Sequence, residues 1–139
     1  MRRGVYYCAS TLDAAIAETR FHMVELLAAT REGSVEITMR TYINTITQAL
    51  HDVREGYPEL HHPDPATYPR GQAFALRLRA EGAWGILYNS VRQPGHECAA
   101  VFRPPALSIP VQGPHFRYVW DGKAQTVTHV LEVSEHQMK

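Results

Sequence analysis

Residues Gly82 to Phe102 constrain the fold more than any other stretch. They read Gly-Ala-Trp-Gly-Ile-Leu-Tyr-Asn-Ser-Val-Arg-Gln-Pro-Gly-His-Glu-Cys-Ala-Ala-Val-Phe. The apolar run Trp84 to Tyr88 is too short for a stable helix and reads as a buried strand. It stops in a polar patch of Asn89, Ser90 and Arg92. Pro94-Gly95 supplies a turn, and Cys98 to Phe102 reads as a second apolar strand. Two strands are therefore joined by a polar connection. A rigid strand end hands its side chains to a cleft at low cost in disorder. A hydroxyl, an amide and a guanidinium delivered together suit an anionic or polyhydroxylated ligand. The same residues are equally compatible with a plain hairpin turn that faces water.

The rest of the chain alternates helix and strand without repeats. Gly4 to Ala9 is a short strand. Ser10 or Thr11 caps a helix running to about Thr30, with Asp13 in its first turn. Leu12, Ala15, Ile16, Thr19, Met23, Leu26 and Leu27 fall at helical spacing and predict its core face. Glu18 sits beside that stripe, either at its rim, pairing with His22 one turn on, or aimed into a cleft. Glu32-Gly33-Ser34 is a turn, and Val35 to Ile43 alternates with the period of a half-buried strand. Thr45 to Val53 has Ile46, Ala49, Leu50 and Val53 on one helical face. Pro58, Pro63, Pro65 and Pro69 predict a surface loop from Tyr57 to Arg70. A helix follows from Arg70 or Gly71 to Ala80, closed by Gly82. Pro104, Pro105, Pro110 and Pro114 predict a second long loop. Phe116 to Trp120 and Ala124 to Val133 then form a hairpin around Asp121-Gly122-Lys123, and Ser134 to Lys139 is a frayed tail. Strands outnumber helices in mixed order, so the expected class is α+β: mixed sheets with packed helices in a single domain spanning 1–139.

Composition narrows the function classes. The 139 residues include fourteen basic and fourteen acidic side chains, for a formal net charge of zero. A dedicated nucleic-acid binder carries a basic excess, so direct nucleic-acid binding is not expected. No apolar run reaches membrane-spanning length and the N-terminus lacks a secretory pattern, so the expected compartment is the cytoplasm. In a reducing compartment Cys8 and Cys98, each among apolar neighbours, are expected as buried thiols. Among the eight histidines, His51-Asp52 and His61-His62 with Asp64 offer metal-ligand types. Adjacent histidines in a proline-rich loop lack the spacing that aligns ligands on one helical face, so no metal is expected. There is no glycine-rich phosphate loop and no dinucleotide fingerprint.

Taken together, Tyr7-x-Ala9, Ala14-Ala15-Ile16-Ala17-Glu18, Gln72, Gly85-Ile86-Leu87-Tyr88-x-Ser90-Val91-Arg92 and Cys98-Ala99-Ala100-Val101-Phe102-Arg103-Pro104 resemble the RES domain family in order and spacing. The resemblance covers Gly4 to about Pro105. It implies a fold similar to the ADP-ribosyltransferase toxins. It also implies the toxin half of a bacterial toxin–antitoxin pair, with an Xre-type antitoxin as partner. The implied activity is cleavage of the nicotinamide–ribose bond of NAD, by hydrolysis, phosphorolysis or ADP-ribosyl transfer. The family glutamate falls on Glu18, the serine on Ser90 and the tyrosine on Tyr7. The family arginine precedes the first tyrosine strand in relatives. Only Met1, Arg2 and Arg3 precede Gly4 here, so the expectation is a shortened member lacking that segment. Asn89 stands where many relatives carry proline, a change that a turn accepts.

These matches assign expected roles. Cleavage builds positive charge on the ribose, as in glycoside cleavage, and Glu18 would stabilise it. Ser90 would hydrogen-bond the ribose or orient Glu18. Tyr7 offers a stacking ring and a hydroxyl, although an aromatic residue in a short strand is often simply core. Arg92 would hold the pyrophosphate, with Arg2 or Arg3 as weaker options; its bland alternative is a pair with Glu97. The expected catalytic set is Glu18, Ser90 and Tyr7. NAD is expected to bind, as substrate, through Arg92, Tyr7, Ser90 and Tyr88. The alternative is a weakened or truncated domain acting only as an NAD- or antitoxin-binding module, and an oligomer is compatible with either.

Overall fold

The computed structural model describes residues 5–61 and 68–134, together with 136 and 138. It is α+β, as expected, and its chain divides into two compact units. The first comprises Met1–Glu18 and Ile46–Ser108; the second comprises Thr19–Thr45 and Ile109–Lys139.

The first unit is built on a four-stranded sheet of β1 (Tyr6–Ala9), β5 (Glu97–Val101), β4 (Gly85–Asn89) and β3 (His51–Asp52), in that order. β1 and β4 each pair antiparallel with β5, and β3 runs parallel to β4. Ala9, Cys98 and Tyr88 form one cross-strand row, and Tyr7, Ala100 and Ile86 the next row but one. Side chains alternate along a strand, so both rows point to the same face. On that face Ile86, Ala100 and Phe102 pack with Val53 and with Leu78, Phe74 and Ala75 of α2 (Tyr68–Ala80). The opposite face buries Ala99, Val101 and Ala106 against Leu50, Trp84 and Leu107. Gly85 permits this close pairing: a Cβ there would collide with the Ala100 carbonyl and lie 3.1 Å from the Val101 Cα.

Helix α1 (Leu12–Thr30) starts in the first unit. Its cap is Thr11, whose Oγ1 accepts the Ala14 N–H at 3.2 Å while its carbonyl accepts that of Ala15 at 3.1 Å. The predicted core stripe is only partly correct. Leu12 and Leu26 are 43% and 63% exposed, whereas Ala14 and Leu27 are buried. The helix is rich in alanine and carries apolar residues on every face, so spacing alone does not select the buried one.

The second unit holds a three-stranded antiparallel sheet, ordered β2 (Val35–Ile43), β6 (Val111–Asp121), β7 (Thr126–Val133). Phe116, Tyr118, Trp120 and Val127 are its buried residues. The Tyr118 hydroxyl lies 2.7 Å from Thr19 Oγ1, Arg20 donates to the Val127 carbonyl at 2.9 and 3.1 Å, and Trp120 Nε1 donates to the Glu32 carbonyl at 3.1 Å.

Four further expectations are corrected. The segment from Thr45 to Val53 is not a helix. Thr47 N–H donates to the Ala106 carbonyl, Ile46 bridges Leu107, His51 and Asp52 form β3, and Val53 N–H donates to the Leu87 carbonyl. Tertiary strand partners take the backbone groups that a helix would have used internally. Part of the proline-rich loop is ordered as a 3₁₀ turn, Pro58–His61, and α2 begins at Tyr68. Proline in a first helical turn loses no bond that the helix could have made. Pro114 lies inside β6, next to the register shift opposite Arg40 and Tyr42, where a bulge removes the need for its N–H. The hairpin turn is also wider than expected, with Asp121 Oδ1 accepting the N–H groups of Lys123 and Ala124 at 2.9 and 3.1 Å.

Candidate active site

The C-terminal ends of β1 and β4 and the start of β5 lie side by side in the first unit. Ser90 follows β4 immediately and is 4% exposed. Its backbone is held by donation to the His96 carbonyl at 2.9 Å. Its hydroxyl donates to Glu18 Oε1 at 3.1 Å, on the second turn of α1. The same oxygen accepts the Gln93 N–H at 3.1 Å. The Pro94-Gly95 turn allows this return of the chain, with Gly95 at φ +88°. Two residues separated by 72 positions in sequence are thus joined in space.

Tyr88 and Cys98 share one row of the sheet face, and Tyr7 stands on the same face two residues along β1. Burial, and then the neighbouring Cys98, Glu18, Tyr7 and Cys8, push the Tyr88 phenol well above its ordinary range. It therefore stays a neutral donor and acceptor at physiological pH. Burial and then Glu18 push the Cys98 thiol up to about 11, against an opposing hydrogen bond from Ser90. Cys98 is 3% exposed and protonated at neutral pH. Burial also raises Cys8, and both cysteines are free thiols.

Tyr7 is 67% exposed, so it is not the core aromatic that its strand position allowed. Its ring is available on the face that carries Tyr88 and Cys98. Arg92 lies half-buried on the 90–96 connection, two residues beyond Ser90. Glu97 pairs with Arg54 at 3.1 Å, and His22 pairs with Glu25 at 3.8 Å. Arg2, Arg3, His62 and Asp64 lie outside the described residues. Among the described residues no group of three or more His, Cys, Asp or Glu side chains could hold a metal ion.

Sequence reasoning passed over the other half of this strand end. Arg54 forks onto Asp52, with Nε at 2.9 Å from Oδ1 and Nη2 at 2.7 Å from Oδ2, and reaches Glu97 with Nη1. Its carbonyl accepts the Asn89 side-chain amide at 2.7 Å. Asn89 N–H donates to His61 Nε2 at 3.1 Å while His61 Nδ1 lies 2.9 Å from the Tyr57 carbonyl. That pattern needs the neutral Nδ1–H tautomer. These contacts pin β3, β4 and β5 together one residue before Ser90. Nothing in the residue types flagged them, because Asp52 and Arg54 are an ordinary pair until β3 docks beside β4.

Comparison with known proteins bears on this geometry. A family model described as the RES domain matches residues 1–121. A protein of Sinorhizobium fredii (strain NBRC 101917 / NGR234), described as "Uncharacterized protein y4oC", is 25% identical over 118 residues. The match covers 81% of this chain and 46% of that protein, so the chain spans about half the length of this curated relative. No solved structure matches significantly. No helix among the described residues is long and apolar enough to cross a membrane.

Proposed function

Because the chain belongs to the RES domain family, whose members include the toxins of toxin–antitoxin systems, we propose that it cleaves the nicotinamide–ribose bond of NAD. The observation that carries this reading is the Ser90–Glu18 hydrogen bond, which fixes a carboxylate at the end of the sheet that carries Tyr7 and Tyr88, with Arg92 two residues beyond Ser90. In the reaction the C1′–N bond breaks and its electron pair leaves with nicotinamide, neutralising the pyridinium. Positive charge passes to the ribose, where Glu18 stabilises it electrostatically. Water, phosphate or a protein side chain then adds to C1′ and gives up a proton. Tyr7 supplies a ring for the nicotinamide to stack on, and Tyr88 offers a neutral phenol on the same sheet face. Arg92 binds the pyrophosphate through its guanidinium fork. Ser90 orients Glu18.

Such an activity operates on the NAD pool of the cytoplasm and has to be held in check by a cognate antitoxin, which we place in the Xre type. The test is nicotinamide release from NAD by the purified chain, with and without phosphate. Phosphate-dependent release indicates phosphorolysis. Binding of NAD without release would instead support a binding-only module.

A further inference from the structure

Helix α1 carries Glu18, and the connection between β4 and β5 carries Ser90. A second side-chain bond joins the same two segments. His96 Nδ1 lies 2.5 Å from Thr11 Oγ1, across 85 positions of sequence. Thr11 is the cap of α1, and the same oxygen accepts the Ala14 N–H at 3.2 Å. A hydroxyl gives one proton and accepts through two lone pairs, so it serves the helix and the imidazole at once, with either ring tautomer. The backbone of His96 is fixed in turn. Its N–H donates to the Gln93 carbonyl at 3.2 Å, and its carbonyl accepts the Ser90 N–H at 2.9 Å. One residue thus grips the Glu18 helix by its side chain and Ser90 by its main chain.

Two bonds between Ser10 and Glu97 anchor the end of β1 just ahead of the helix. His96 acts one residue later, on the cap from which the helix axis starts. Ser90 holds the same helix at its second turn. Contacts at two points along a rigid helix fix its direction, whereas one contact leaves it free to pivot. We propose that His96 is a positioning residue, whose imidazole sets the direction from which Glu18 approaches Ser90. A carboxylate that stabilises developing charge works only near its proper geometry, so a small misplacement is felt in the chemical step more than in substrate binding. The catalytic consequence rests on the NAD-cleaving reading; the two-point attachment of α1 does not.

Two measurements test the proposal, and only the second needs NAD cleavage. The first is amide hydrogen exchange at Ser90, referred to the Ala99 amide inside the sheet, which reports global opening. His96→Leu speeds Ser90 exchange about fivefold, the scale of one lost hydrogen bond. Thr11→Val, which removes the same bond from the helix side, speeds it by a similar factor and serves if His96→Leu does not fold. Thr11→Ser leaves it unchanged. The two losses do not add when combined, because they remove one contact. Ser90 exchange that ignores both variants, or losses that add, overturns the proposal. In the activity arm, His96→Leu lowers kcat about fivefold with KM within about twofold. His96→Asn recovers most of that loss, because asparagine carries a polar atom in the place of Nδ1 and leucine carries none. Equal losses in the two variants would overturn the positioning role. A wild-type chain that releases no nicotinamide would contradict the NAD-cleaving reading alone, and the exchange rates would still decide whether His96 holds the helix.

Discussion

A single hydroxyl joins the two residues on which the proposed site depends. Ser90 is almost fully buried, yet its proton is used on Glu18. Ser90→Ala leaves the carboxylate without its orienting donor, so kcat for nicotinamide release should fall about tenfold. The measurement is a steady-state comparison with the wild type, and an unchanged kcat would remove Ser90 from the mechanism. Glu18 and Ser90 were legible in the sequence because their spacing matches a family pattern. Composition gave no reason to pair them. Cys98 was read as a buried thiol in an apolar strand, and it is one. For Tyr7 the alternative of a core aromatic does not hold: it lies on edge strand β1 and is 67% exposed.

At the scale of elements, the site depends on β4 lying close against β5. Gly85 makes that approach, and Gly85→Ala would drive a methyl into the Ala100 carbonyl. Overpacking of this kind costs about 1–3 kcal/mol, so the denaturant midpoint should drop, and an unchanged midpoint would show that the backbone yields freely. The β3–β5 tie gives a pH signature. Hydrogen bonds from Arg54 hold Asp52 down from 3.8 to about 2. A lowered folded-state value means that this contribution is present above about pH 4 and is lost as pH falls through 2. Acid unfolding of Asp52→Asn should therefore lack that component, and identical acid profiles for the two proteins would show the tie to be inert. The β4–β5 pair was readable from two apolar runs around a Pro-Gly turn. The 45–53 segment was not, because its apolar residues suit a helix and the deciding partners, Leu87, Ala106 and Leu107, are remote in sequence.

At the scale of the molecule, the α+β class followed from the order of helix and strand patterns. The discontinuous make-up of the first unit did not, since β1 pairs with β5 across about ninety residues and no local pattern records that. Family membership, read from ordered short motifs, is borne out by the match over residues 1–121. The most direct test of the account is nicotinamide release from NAD by the purified wild-type chain beside Glu18→Gln. The account predicts release by the wild type and a loss of at least about a hundredfold in the variant, the scale expected when a preorganised charge is removed from a transition state. Equal release by both proteins, or none by the wild type, would contradict it.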